Sequence, residues 1–445
     1  MMGELPPDQN QLFYDISLEK MVPGNHFLRA VDQFLDFAVI REHLSEYYSH
    51  TGRPSVDPEL MIRMLLIGYS YGIRSERRLV EEVKLNVAYR WFCRLGLEGE
   101  VPHHSTFTKN RLGRFKDANV FKLVFHTVLT RCIDAGLVKG EGFAVDGSFV
   151  QAASSRHSKV AGPVDWTPEH RKNRTVKEYL EALESDPKHK RVQNTLSLND
   201  PNAQWTAAKG PADFYYSTNY VVDTKYSIIM DVEASAATYS KEVATLPGQL
   251  DRIKKEHGIQ PNKIMGDTAY GTAECLHDLV DNRGIEPHVP VWDKSAKNSI
   301  GFDVSDFTYD DEHDIYICPE GEPLKSSGRI NKDDSIRYRS YPPTCRVCPN
   351  KNVCTPNMDH RKIRRHRYEA ARNIARKINQ STEYIEVSQP ARKKVEMAFA
   401  HMKQVFNFRR LRLRGMSGAN DEFTLVATAQ NLRKLVRLAG IPPPT

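Results

Sequence analysis

The chain has 445 residues, seven cysteines and a formal net charge of +7, from 63 basic and 56 acidic side chains. That length supports two or three domains, each with its own apolar core, without help from disulfides. The opening MMGELPPDQN lacks the basic flank and apolar run of a secretion signal, and no stretch stays apolar long enough to cross a bilayer. A soluble, cytoplasmic protein is predicted, in which thiols stay reduced or bind metal; the mild basic excess favours a polyanionic partner.

From about Asn25 to Leu137 the sequence reads as helix after helix. Asp57, Pro58 and Glu59 supply a cap, a first-turn proline and a first-turn acid to a largely buried helix, LMIRMLLIGYSY, that closes at Gly72. Ser75 is read as the cap of one helix through ERRLVEEVKLNVAYRWFCRL, and Ser105 as the cap of the basic segment TFTKNRLGRF. This order suggests a helix-turn-helix-like module whose Lys109, Arg111 and Arg114 face either DNA or plain solvent.

Short β-branched runs follow in GFAVDGSFVQAAS, NYVVDTKYSIIMDVEAS, NKIMGDTAYG and IEPHVPVW, with helical KEVATLPGQLDRIKKEHG and TAECLHDLVDNRG between the last three. The alternation predicts an α/β domain with a mixed sheet. Two segments interrupt it: residues 154–215, polar enough to be flexible or partly ordered, and residues 292–386, which carry most of the cysteines.

Asp146 follows the apolar run FAV and precedes Gly147, and Asp267 follows KIMG, so both carboxylates are expected at strand exits. Glu396 lies in SQPARKKVEMAFAHMKQVF, where Ser388 is read as the N-cap and Pro390 stands in the first turn. Val395, Ala398, Phe399, Met402, Val405 and Phe406 form one apolar stripe of that helix, with Arg392, Glu396 and Lys403 along its edge, which predicts that Glu396 is held against the core. Taken singly, the two aspartates read as turn residues and Glu396 as an i, i+4 partner of Arg392. Metal-assisted phosphoryl transfer accounts for all three together, because hard divalent cations need carboxylate oxygens.

The pieces SERRLVEEVKLNVAYRWF, PHHSTFTKNR, FAVDGSFVQAAS, GDTAYG and ARKKVEMAFAHMKQVFNFRRLRLRG resemble the DDE transposases of bacterial insertion sequences, over nearly the whole chain. The resemblance implies a ribonuclease-H-like α/β core (residues 138–291 and 387–445), an all-helical DNA-binding region (1–137) and a cysteine-containing insertion (292–386). It implies that Asp146, Asp267 and Glu396 hold two Mg²⁺ or Mn²⁺ ions, cut double-stranded DNA at terminal inverted repeats and join the freed 3′ ends to target DNA. A homodimer on paired ends, associated with the nucleoid, is implied as well.

The family's Arg-x-x-x-Glu-x-x-x-x-x-x-Lys pattern falls on Arg392, Glu396 and Lys403, whereas Gln389 stands where some members carry a phosphate-contacting Tyr. Members that form a DNA hairpin stack a flipped base on an aromatic; Trp292 is either that residue or a packed rim or core tryptophan. Two further readings keep the same fold: a domesticated protein that binds DNA without cutting, and a nuclease without strand transfer.

Cys318, Cys345, Cys348 and Cys354 have spacing that suits a tetrahedral structural zinc site. Free thiols, an iron–sulfur cluster, or a site with His360 in place of Cys318 remain alternatives. Cys93, Cys132 and Cys275 sit among apolar neighbours and are expected in cores. Past the catalytic helix, Arg409, Arg410, Arg412 and Arg414 form a dense basic run, read as backbone contacts to a transposon end or as a solvated loop; DEFTLVATAQNLRKLVRLAG is read as a last helix packed on the sheet.

Overall fold

A computed structural model describes residues 17–48, 51, 55–185, 193–207, 210–292 and 301–440. The chain is mixed α/β with a helical N-terminal region and several sheets, and divides into two compact units, each assembled from separated stretches of sequence. The first comprises residues 1–139, 147–238 and 396–445; the second comprises 140–146 and 239–395. No helix among the described residues is long and apolar enough to cross a membrane.

In the first unit the Pro58–Ser70 helix forms as its cap predicts. Asp57 accepts a hydrogen bond from Glu59 N at 2.8 Å at the start of the Pro58–Ser70 helix, and Gly72 follows it with φ +68°. Its Arg63 is 3% exposed yet satisfied: Asp32 at 2.6 Å, Glu59 at 2.8 Å and the Phe92 carbonyl at 2.9 Å surround the guanidinium. The helix that Ser75 caps is shorter than the sequence suggested. Asn86 adopts an extended conformation, ends Glu76–Leu85 and caps Val87–Phe92 by accepting from Ala88 N and Tyr89 N. Ser105 is no cap; it is the first residue of the Ser105–Leu112 helix and pairs with His103 instead.

Strand β1 (Gly142–Gln151) runs through Asp146 and Gly147 rather than ending there, which corrects the expectation of a turn. Its end lies beside β5 (Asp213–Asp223) in the first unit, and β5 pairs antiparallel with β6 (Ile229–Ala236). The segment between β1 and β5 has structure of its own: β2 (Lys159–Ala161) pairs with β3 (Thr195–Ser197), and β4 (Gln204–Thr206) pairs with β5. Trp166, Val176, Tyr179 and Leu196 give it a small core, an aromatic and aliphatic cluster hidden among polar neighbours.

The last helix, Gly415–Ala439, begins earlier than the sequence suggested and packs on the Pro58–Ser70 and Val120–Asp134 helices and on β6. Its Asn431 side chain pairs with both backbone groups of Ile229, accepting at 2.9 Å and donating at 2.8 Å, and Asn420 accepts from Ala234 N at 2.7 Å. The buried Asn431 and half-buried Asn420 amides thus complete the hydrogen bonding of the sheet instead of burdening the core.

In the second unit the start of β1 pairs in parallel with β7 (Lys263–Met265), and β7 in parallel with β8 (Glu286–His288). The Tyr239–His257 helix precedes β7. A separate antiparallel sheet follows, of β9 (Thr308–Asp310), β10 (Ile315–Ile317), β11 (Pro323–Ile330), β12 (Ser335–Arg339) and β13 (Lys362–His366), in the order β13-β12-β11-β10-β9.

Candidate active site

The strand pairing brings two of the three acids together. Parallel register matches Gly142 with Lys263, Phe143 with Ile264 and Ala144 with Met265. Carried two residues further, it sets Asp146 level with Asp267, on neighbouring chains that run about 4.8 Å apart while paired. Apolar Phe143, Val145, Ile264 and Met265 bury these segments, and both aspartates emerge partly exposed. One Asp267 oxygen accepts from Ala269 N at 2.9 Å and caps the short Thr268–Gly271 turn, which fixes the carboxylate's direction.

Tyr270 in that turn reports the local field. It is 2% exposed, and its phenol is held well above the usual range, first by burial and then by the negative charges of Asp146, Glu242 and Asp267. Glu242, 5% exposed on the Tyr239–His257 helix, was not singled out in the sequence. Only its neighbourhood distinguishes it from the other helical glutamates. Three carboxylates around one buried phenol form an oxygen-rich, negative corner of the second unit.

Glu396 lies in the first unit and is solvent-exposed, not held against the core. The stripe beside it is as expected, with Val395, Ala398, Phe399, Met402 and Phe406 buried, except that the Gln389–Gln404 helix stops before Val405, which is 43% exposed. Ser388 does not cap the helix. A wider-turn segment, Tyr384–Ser388, leads straight into it, and Ser388 is buried with its hydroxyl 2.7 Å from His288 Nδ1.

Lys403 Nζ donates to Ser148 Oγ at 2.7 Å and to the Phe149 carbonyl at 3.0 Å, which ties this helix to β1. The basic run continues that attachment. Leu411 N donates to the Gln151 carbonyl at 2.8 Å, and the Arg410 guanidinium reaches the carbonyls of Ala152 and Ser154 at 3.2 and 3.0 Å. Buried Glu422 accepts from Arg412 N and Leu413 N and pairs with Arg74, so the run is pinned by its backbone while the Arg409, Arg410, Arg412 and Arg414 side chains stay exposed.

The three helical cations have different environments. Lys109 is exposed, and Arg114 sits over the Tyr48 ring at 4.3 Å. Arg111 is 6% exposed and ion-paired with Glu76 at 2.6 Å. Neither an open DNA-facing position nor a solvated one describes it. Arg392 is half-buried.

Trp292 is 42% exposed, at a cavity of about 1100 Å³ that Thr272, Arg364, His366 and Arg372 also line. Its backbone N donates to the Gly271 carbonyl at 2.9 Å, and a Cβ at Gly271 would meet Pro290 O at 1.9 Å, so only glycine permits this approach. Cys93, Cys132 and Cys275 are buried, whereas Cys318, Cys345, Cys348 and Cys354 all line a second cavity of about 250 Å³.

Two family models match the chain: a transposase domain (DUF772) over residues 16–112 and a transposase DDE domain over residues 317–436. The first covers the capped N-terminal helices; the second takes in Glu396, Lys403 and the basic run. No curated protein and no solved structure gives a significant match. Transposase domains in two separate parts of the chain support a transposase function, and together they support a DDE transposase of insertion-sequence type.

Proposed function

We propose that this transposase cuts double-stranded DNA at the ends of its element and joins the released 3′ ends to target DNA, with Asp146, Asp267 and Glu396 as its catalytic acids. The observation that carries the reading is the β1–β7 register, which levels Asp146 with Asp267. Strand order β6-β5-β1-β7-β8, with the last three parallel, supports a ribonuclease-H-like core. Lys403 supports Glu396 as the third acid, because it ties the helix carrying Glu396 to Ser148, two residues along β1 from Asp146.

The donor set is carboxylate oxygen without thiol or imidazole, which suits Mg²⁺ or Mn²⁺ rather than a softer ion. Two such ions, when bound, activate the attacking oxygen and stabilise the leaving one. The chain's own contribution is to fix those oxygens: β1 holds Asp146, the capped turn holds Asp267, and the buried stripe orients the Glu396 helix. Lys109, Arg114, Arg392, Arg409 and Arg412 supply cations for the DNA backbone, and Arg410, on the carbonyls of Ala152 and Ser154, and Arg414, whose Nε reaches the Ala153 carbonyl at 3.5 Å, add charge from tethered positions. Two copies on paired ends would give each end its own set of acids.

The test is a labelled element end in Mg²⁺. Glu396→Gln, Asp146→Asn and Asp267→Asn should each retain end binding and lose nicking. Near-normal nicking by any one variant removes that residue from the set, and nicking without strand transfer by the unaltered protein leaves a nuclease.

A further inference from the structure

We propose that Cys318, Cys345, Cys348 and Cys354 bind one zinc ion, and that this ion holds the antiparallel-sheet segment 302–366 in its fold. The site is independent of the catalytic acids and of the reaction assigned to them.

The segment needs such a tie. Its sheet β9–β13 rests on a core of only five buried side chains, Phe307, Tyr316, Leu324, Tyr338 and Ile363. Much of the remaining sheet surface is polar or charged; β11, for example, buries Leu324 and leaves six of its eight residues exposed. A core of this size does not normally stabilise a unit that must order several strands and loops, and small domains in this position use a metal or disulfides.

The four thiols come from two places that the fold makes adjacent. Cys318 leaves β10 in a tight turn, in which Gly321 N donates to the Cys318 carbonyl at 2.8 Å and Gly321 has φ +81°. Cys345 and Cys354 come from two short helical turns, Pro342–Arg346 and Lys351–Cys354, and Cys348 from the link between them. Asn350 donates to Glu320 at 2.5 Å, which ties the second group to the Cys318 turn. All four line the same cavity of about 250 Å³, whereas His360 does not, so the set is four thiols rather than three and an imidazole.

The surroundings suit a thiolate cluster. Cys318 and Cys354 also pack against the apolar core, and Ser340 Oγ lies 2.9 Å from Cys345 Sγ. Arg361 lines the cavity with its guanidinium anchored to the carbonyls of Cys354 and Phe302 at 2.9 and 2.8 Å. Its buried Nε has no hydrogen-bond partner among the described residues, leaving a cationic donor for a thiolate. No three of the sulfurs lie within 4.8 Å of one another, so binding must turn the thiol rotamers inward. Four thiolates complete tetrahedral zinc and leave no position for water, which makes the role structural.

The experiment is metal analysis of the full-length protein purified without added metal, followed by titration with a mercurial reagent in the presence of a zinc-sensitive dye. About one zinc per chain, released as four thiols react, is the expected result. Cys345→Ser/Cys348→Ser should lose the zinc and expose segment 302–366 to limited proteolysis, and His360→Ala should keep the zinc. If the double variant does not fold, the mercurial titration of the unaltered chain decides. Less than about half an equivalent of zinc, two disulfides by mass, or iron in place of zinc overturns the proposal. Retention of zinc by Cys318→Ser together with its loss from His360→Ala overturns the ligand set.

Discussion

Arg111 donates to Glu76 across 2.6 Å, and the two belong to different helices of the N-terminal region, with the Arg111 side chain 7% exposed. The pair joins the basic Ser105–Leu112 helix to the Glu76–Leu85 helix. Arg111→Ala would leave Glu76 facing a buried gap and should cost about 3 kcal/mol, the low end for a buried pair because Glu76 retains some water. Arg114→Ala should instead weaken end binding and reduce its salt slope by about one. Urea unfolding and a salt series on each variant check this; equal stability loss in both would contradict the different placement of the two arginines.

Lys403 gives a second separation of roles. Its ammonium is engaged with Ser148 Oγ and the Phe149 carbonyl, so it acts on the position of the helix that carries Glu396. Lys403→Met should lower cleavage sharply, and Ser148→Ala should lower it several-fold while leaving DNA affinity unchanged. If Lys403 serves DNA phosphate alone, Ser148→Ala will cleave normally and Lys403→Met will show only weakened binding.

The basic run contains both anchored and open arginines. Arg410 holds the carbonyls of Ala152 and Ser154, whereas the Arg412 side chain is exposed above a backbone fixed by Glu422. Arg410→Ala should therefore destabilise the protein by about 1–2 kcal/mol as well as weaken binding. Arg412→Ala should weaken binding without a change in melting temperature, and parallel thermal and binding assays read the difference.

Buried Asp200 makes stability depend on pH. One oxygen accepts from Tyr216 OH at 2.5 Å and from Gly415 N at 3.1 Å, while the other has no hydrogen-bond partner among the described residues, and burial pushes the carboxyl up to about 6. The folded chain holds this proton more tightly than the unfolded chain. Its contribution is thus largest below the ordinary aspartate range and is lost as pH rises towards 6, at up to about 1.4 kcal/mol per pH unit. Asp200→Asn should flatten that decline relative to the unaltered protein. Urea midpoints at pH 4.5 and 7 test it, and an identical decline in both proteins would remove Asp200 as its source.

Features set by local chemistry were legible in the sequence. The Asp57 cap, the Gly72 stop and the buried stripe from Val395 to Phe406 depend on residues within a few turns of each other. What escaped depended on distant partners. Arg111 looked like a surface cation because Glu76 lies 35 residues earlier, and Gly147 looked like a turn because nothing local reveals that β1 continues beside β5. Glu242 carries no motif; its place near Asp146 and Asp267 follows from the helix that delivers it. Spacing singled out the four cysteines and left His360 as an alternative to Cys318; that all four line one cavity over a slender core depends on the fold.

The Gly415–Ala439 helix also constrains the order of folding during synthesis. Its Phe423, Leu425, Val426 and Leu432 are buried in the first unit, where the helix packs on Pro58–Ser70, Val120–Asp134 and β6. The ribosome makes those partners long before it reaches residue 415. Until then the early helices lack the surface that covers them and present apolar faces to chaperones or to other nascent chains. A stop codon just before Gly415 would therefore abolish the first unit's core rather than trim its edge, and would turn a late truncation into an aggregation-prone product.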